Sequence, residues 1–133
     1  METILRKKFS METITPSVRV SRQGRHIELD VLAYANGLIN TAVVVEVKSH
    51  ARQESISQLI NHLQSFSTFF PEHKDKTLYG ILAAVDISDA LREEVLQAGL
   101  YVARIQDDIF ELDIPATFQP KQWQAFAVNS WSP

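Results

Sequence analysis

The hydrophobic positions of this chain follow a two-residue period at first, and that pattern predicts strands. Segments 17–21, 26–34 and 41–49 are rich in β-branched residues and alternate between apolar and polar positions. A glycine-containing turn over 22–25 and a second turn at Asn36-Gly37 separate them. Three strands with such short connections predict an antiparallel meander.

Beyond residue 50 the period changes to three or four residues, which predicts an amphipathic helix. This helix should begin near Gln53 or Glu54 and end before Pro71, since proline stops a helix. Gln58 and His62 lie one turn apart, so their side chains can face the same way. The apolar positions that define its buried face are Ile56, Leu59, Ile60, Leu63, Phe66 and Phe70.

The rest of the chain alternates apolar strands with one further helix. Ser88 is a suitable N-cap for that helix, and Gly99 is a suitable stop. A strand–helix–strand order favours parallel pairing through a right-handed crossover. The predicted fold class is α/β, with helices packed on a central mixed α+β sheet. Along the chain, an antiparallel meander comes first and an α-β-α-β segment follows it. The segments concerned are strands over 78–85, 100–105 and 109–114, and a helix over 88–98.

The 133 residues are expected to form a single domain, with a core over about 18–114 and an aromatic tail over 115–133. Residues 1–10 are expected to form a short helical turn or to be disordered. Exposed aromatic residues are unusual, so the tail should pack on the core or on a partner subunit, and a homodimer is one hypothesis. Its aromatic residues are Phe118, Trp123, Phe126 and Trp131.

Composition narrows the class of protein. There are no cysteines, which excludes disulfides and thiolate zinc sites. No apolar run is long enough for a membrane span and the N-terminus lacks a signal-peptide stretch, so a cytoplasmic location is expected. The net charge of −3 argues against nonspecific coating of nucleic acid. Residues 1–26 nevertheless carry roughly +4 by count, which could suit a phosphate backbone or could be a solvated end.

Charged residues interrupt two of the predicted strands, where they are normally depleted. By strand alternation, Asp30 shares a face with Glu28 and Leu32, and Glu46 shares a face with Lys48. If the two strands are neighbours, these groups converge near one end of one face. The structural alternative is a cross-strand ion pair between Lys48 and a carboxylate, which contributes only ~0.2–1 kcal/mol.

The order of elements around these residues adds a resemblance. Asp30 precedes Glu46-Val47-Lys48 by sixteen positions on a hairpin, and an amphipathic helix and a buried strand follow. This arrangement, over about residues 18–105, resembles the PD-(D/E)XK nuclease superfamily with its restriction-endonuclease-like fold. It is most similar to small prokaryotic relatives and more distantly to archaeal Holliday-junction resolvases. The resemblance implies a metal-dependent endonuclease that uses Mg²⁺, or Mn²⁺ as a substitute, and acts on DNA rather than RNA.

The resemblance also implies roles for individual residues. Asp30, Glu46 and the carbonyl of Val47 would bind the metal, which suits a cation that prefers oxygen ligands. Lys48 would orient the attacking water or stabilise charge that builds on the phosphate. Gln58 matches the position where many relatives place a glutamine, and would line the site.

Several residues have open roles at this point. Glu28 is either a further metal ligand or a group beside the ligands. His62 is a surface or packing residue, or it lines the cleft. Many relatives carry an acidic residue on a helix before the hairpin, and only Glu2 and Glu12 are available for that role here.

Two other functions compete with the nuclease. The first is a catalytically silent protein of the same fold that binds nucleic acid or supports assembly, which the acidic net charge and the missing helical acid favour. The second is a hairpin whose Lys48 serves only in an ion pair. Metal-dependent cleavage separates the nuclease from the silent protein.

Overall fold

A computed structural model describes residues 1–124, which form one six-stranded sheet whose spatial order follows the sequence, β1 to β6. The first three strands pair antiparallel, β3–β4 and β4–β5 pair parallel, and β6 pairs antiparallel with β5. No helix in this part of the chain is long and apolar enough to cross a membrane. The elements are α1 (Glu2–Phe9), β1 (Thr13–Arg22), β2 (Arg25–Asn36), β3 (Asn40–His50), α2 (Gln53–Gln64), α3 (Phe66–Phe69), a 3₁₀ turn (Pro71–His73), β4 (Thr77–Asp86), α4 (Asp89–Gln97), β5 (Tyr101–Gln106) and β6 (Ile109–Leu112).

The predicted fold class is confirmed, with a meander followed by parallel strands that α2 and α4 connect. Ser88 caps α4 by accepting a hydrogen bond from the Leu91 amide, as expected. The single helix predicted up to Pro71 is wrong, because α2 ends at Gln64 and a separate short helix follows. At Ser65 the side-chain hydroxyl donates to the Asn61 carbonyl at 2.9 Å. Such bonding to a carbonyl four residues back bends helices.

Helices cover both faces of the sheet. The N-terminal residues form a helix of eight residues, α1, and its Leu5 is fully buried on one face beside Val43, Val45 and Ile81. We call this the α1 face. The other helices cover the opposite face, called the α2 face here, where Val44 and Leu82 meet the buried residues of α2, α3 and α4. The strands in the middle of the sheet are therefore buried on both sides.

Partway along β2, side chains of the same parity change from one face of the sheet to the other. Val31 belongs to the core of the α1 face, whereas Leu29 belongs to that of the α2 face although both have the same parity. Across the ladder, Ser17 has a φ of 53°, in the left-handed region, between Pro16 and Val18. The prediction that Glu28 and Asp30 share a face is therefore wrong, because strict alternation does not hold through this irregularity.

Gly80 on β4 leaves room for α2 to pack close to the sheet. A Cβ atom at this position would lie 2.7 Å from Leu63 Cδ1 and 2.8 Å from Leu100 Cδ2. Both distances are shorter than carbon atoms of different side chains tolerate. Because glycine lacks that atom, α2 can pack tightly on the sheet. Gly80 therefore helps to set the distance between α2 and the neighbouring strands.

The described part of the aromatic tail packs on the core. The Phe118 ring lies 5.0 Å from the Tyr101 ring, edge to face, and the Trp123 amide donates to the Leu78 carbonyl at 2.9 Å. Two residues of the predicted tail, Phe126 and Trp131, lie outside the described residues.

Candidate functional site

The candidate site lies where β2 and β3 separate. Their last paired residues are Val31 and Val45, so Asp30 and Glu46 are the first residues beyond the ladder. The β3–β4 ladder continues past this point, which keeps Glu46 and Lys48 in regular strand geometry. The opening between β2 and β3 therefore exposes backbone groups of β3 beside the Asp30 side chain.

The Asp30 side chain bridges this opening by binding a backbone group of β3. Its Oδ2 atom accepts a hydrogen bond of 2.8 Å from the amide of Val47. In an extended strand the N–H and C=O groups of one residue point to the same side. The carbonyl of Val47 therefore also faces the Asp30 side of β3.

Glu46 is a nearly inaccessible carboxylate, with a side chain only 4% exposed. Its Oε1 atom lies 2.9 Å from Nδ1 of His62 on α2. Burial raises the pKa of the Glu46 carboxyl above its ordinary value of 4.5; the His62 hydrogen bond opposes this, and the neighbouring Asp30 carboxyl adds to it. The structure thus brings Asp30 and Glu46 together as two adjacent carboxyl groups.

Lys48 contacts a different residue of the same helix. Its Nζ atom donates to Oε1 of Gln58 at 3.0 Å. Gln58 and His62 are four helical positions apart, about 6.0 Å along the axis. Lys48 and Glu46 are two strand positions apart, about 6.6 Å. Because these two spacings match, one face of α2 contacts both polar side chains of β3.

No ion pair joins Lys48 to a carboxylate within residues 1–124. The ammonium contacts the amide oxygen of Gln58 instead. The interpretation of the hairpin as a cross-strand ion pair therefore has no contact to support it.

The other acidic candidates lie apart from these residues. Glu28 is exposed and forms an ion pair with Arg19 across the β1–β2 hairpin at 3.3 Å. Glu2 is on α1, which packs on the opposite face of the sheet, and its carboxylate contacts Arg6. Glu12 accepts a hydrogen bond from the Asn36 amide, at the far end of β2 from Asp30.

His62 is the residue whose contact the sequence pattern left open. Its side chain is 18% exposed and is hydrogen-bonded to Glu46, so it is part of the site rather than the helix surface. The signal that could have indicated it is its position one helical turn after Gln58, facing the same strand.

The donor set suits a hard cation. Asp30, Glu46 and the Val47 carbonyl offer only oxygen atoms, and Mg²⁺ is often held by one or two carboxylates while it keeps several waters. Within residues 1–124 no group of three or more His, Asp or Glu side chains is arranged to hold a metal ion. The residues present therefore fit Mg²⁺ with substrate and water oxygens, rather than a cage built of side chains alone.

A scan against protein-family models found no match, and a search of curated proteins found none either. Among solved structures, the chain is similar to a repair endonuclease from Pyrococcus abyssi, with a TM-score of 0.52 and 21% identity over 79% of this chain and 44% of that one. It is also similar to an EndoMS–dsDNA2 complex, with a TM-score of 0.49 and 20% identity over 79% of this chain and 42% of that one. For EndoMS in apo form the TM-score is 0.47, with 21% identity over 79% and 44%. The chain thus spans less than half of each of these structures, and over that length it shares the fold of the repair endonuclease.

Proposed function

We propose that this chain is a metal-dependent nuclease of the PD-(D/E)XK type that hydrolyses phosphodiester bonds, with DNA as its substrate. The observation that carries the proposal is the meeting of Asp30 and Glu46 beside Lys48, at the point where β2 and β3 separate. The fold shared with a repair endonuclease supports it, since an enzyme of that name cuts nucleic acid.

Asp30 and Glu46 would hold Mg²⁺ together with the carbonyl of Val47. When bound, this ion would polarise a phosphoryl oxygen and lower the pKa of a water molecule. The burial of Glu46 keeps bulk water from its carboxylate and strengthens electrostatic interactions within the site. Two adjacent carboxylates repel each other, so the site favours a cation.

Lys48 would act on the reacting atoms. Hydrolysis adds water oxygen to phosphorus and breaks the bond to the leaving sugar oxygen, and negative charge builds on the phosphate in between. An ammonium beside this charge stabilises it or orients the water. Gln58 accepts a hydrogen bond from Nζ and thereby keeps the ammonium on the face of β3 that carries Glu46.

The test is Mg²⁺- or Mn²⁺-dependent cleavage of labelled duplex, single-stranded and branched DNA and RNA. Lys48→Ala and Asp30→Ala would be compared with the wild type and with two controls at exposed positions, Lys74→Ala and Glu93→Ala. We expect cleavage by the wild type and both controls, and a loss of at least about 100-fold in the two site variants.

Cleavage that survives in both site variants would contradict the proposal. If no substrate is cut and the wild type does not bind Mn²⁺, the catalytically silent protein is favoured instead. Homodimer formation stays a separate prediction, to be measured by sedimentation of the full chain.

A further inference from the structure

The contact between α2 and Glu46 involves His62, whose role the sequence left open. His62 approaches Glu46 from the helix, whereas Asp30 approaches it from β2. Both His62 and Glu46 are largely buried, with 18% and 4% of their side chains exposed, so water does not replace this bond easily. A buried carboxylate without a hydrogen-bond partner would be costly.

We infer that His62 is a positioning residue, which fixes the carboxylate of Glu46 in the orientation that metal binding requires. The inference rests on the proposed function. Metal binding requires the ionised form of Glu46, whose oxygens only accept hydrogen bonds, so in that form Nδ1 of His62 carries the hydrogen of this contact. The bond uses Oε1 of Glu46, and the second oxygen, Oε2, stays free of the helix.

The residue type suits this role better than its alternatives. A lysine or arginine at position 62 would form a permanent ion pair with Glu46 and compete with a bound cation. An apolar residue would pack on the strand but leave the buried carboxylate without its partner. A histidine ring offers one directed N–H···O hydrogen bond to Oε1 of Glu46 and does not contact Oε2. Groups that hydrogen-bond a metal ligand typically contribute 10–100-fold to metal affinity or activity.

Calorimetric titration of the full chain with Mn²⁺ alone tests this inference. Asparagine can place an N–H near the position of the imidazole Nδ1–H, whereas leucine has no donor. We expect His62→Leu to bind Mn²⁺ about 10–100-fold more weakly than the wild type, and His62→Asn to recover most of that loss. Gln64→Ala, an exposed position on the same helix, is the matched control and should bind like the wild type.

Urea unfolding of every variant shows whether a loss of affinity reflects a loss of folding. If His62→Leu does not fold, His62→Ala takes its place, since it removes the donor without adding an apolar branch beside the carboxylate. Equal Mn²⁺ affinity in the donor-free variant and the wild type overturns the inference and leaves the proposed nuclease intact. Equal weakening in the asparagine and leucine variants also overturns it, because the lost donor would not be the cause.

The outcomes keep the two proposals apart. If the wild type binds Mn²⁺ with the expected dependence on His62 but cuts no nucleic acid, the positioning role stands and the nuclease proposal fails. If the wild type binds no Mn²⁺, the positioning role is overturned together with the proposed metal site.

Discussion

The carboxylate of Asp30 accepts a hydrogen bond of 2.8 Å from the backbone amide of Val47, the residue between Glu46 and Lys48. This contact lies beyond the last paired residues of β2 and β3. A side chain therefore does here what a backbone carbonyl does elsewhere in the ladder. Asp30 consequently has two separable properties, as an acceptor that joins two strands and as a negative charge in the site.

Substitutions at Asp30 should separate these properties. Asp30→Asn keeps an acceptor oxygen for the Val47 amide, so its free energy of unfolding should stay close to that of the wild type. Asp30→Ala leaves the amide without its partner and should lower the free energy of unfolding by about 1–2 kcal/mol. Both variants should lose Mn²⁺ binding, because neither keeps the charge. Urea unfolding measures the stability and calorimetry measures the Mn²⁺ binding. Equal stability of the two variants would contradict the role of Asp30 as the hydrogen-bond acceptor for the Val47 amide.

Glu46 should reduce stability at neutral pH, which is typical of a residue kept for function. Its pKa in the folded protein is raised above 4.5, chiefly by burial. The folded state therefore binds the proton more tightly than the unfolded chain. The stability contributed by this group is fully present below pH 4.5 and is lost as pH rises through the folded pKa.

Glu46→Gln should remove this dependence. At pH 7.5 we expect the glutamine variant to have a higher melting temperature than the wild type in metal-free buffer. The difference should shrink as the pH falls through the folded pKa and should level off below pH 4.5, where the wild-type carboxyl is protonated in both states. Thermal unfolding at several pH values measures this. A variant that is less stable than the wild type at pH 7.5 would mean that the His62 bond outweighs the cost of burial.

His73 should make the protein sensitive to mild acid. It is buried against the Tyr34 ring at 4.4 Å, and its Nδ1 atom has no hydrogen-bond partner within the described residues. Burial lowers the pKa of His73 below its ordinary 6.5; Glu72 and Asp75 oppose this, and Lys76 adds to it. As pH falls through 6.5 the unfolded chain takes up the proton first, so stability is lost.

His73→Phe tests this by removing the ionisable group while it keeps an aromatic ring. The wild type should lose stability between pH 7 and pH 5 through this group, and the phenylalanine variant should lose less. Urea midpoints across this range measure the effect. Parallel curves for the two proteins would show that His73 is not the cause.

Gly80→Ala should destabilise the protein by about 1–3 kcal/mol, as overpacking of a core does. The added methyl group would meet Leu63 and Leu100 at less than 3.0 Å. Gly37→Ala is the control, because a Cβ atom there has no atom within 4 Å. Urea unfolding of both variants compares them directly, and equal effects would mean that α2 and the Leu100 segment move apart at no cost.

The sequence pattern was sufficient for the order of the strands, for α2 and α4 that connect the parallel strands, and for the approach of Asp30 to Glu46. Alternation along β3 holds, so Glu46 and Lys48 share a face as predicted, and this face meets α2. Hydrophobic periodicity is reliable in such segments, because each face of the sheet meets a separate core.

The features that sequence did not predict have local physical causes. The exchange of faces near Leu29 coincides with a left-handed residue, Ser17, in the neighbouring strand, which hydrophobic periodicity does not reveal. The break between α2 and α3 depends on a hydroxyl at Ser65 that bonds back to the helix. The contact of His62 depends on the crossing of α2 over β3, which is a tertiary relationship.

The irregularity near Ser17 also affects how this protein behaves in concentrated solution. β1 is an edge of the sheet, and a long edge strand can pair with the edge of another molecule and start aggregation. Pro16 lacks an amide hydrogen, and Ser17 beside it departs from extended geometry. A second chain could not pair continuously along this edge. The same distortion that accompanies the exchange of faces at Asp30 thus hinders the pairing of a second chain along β1.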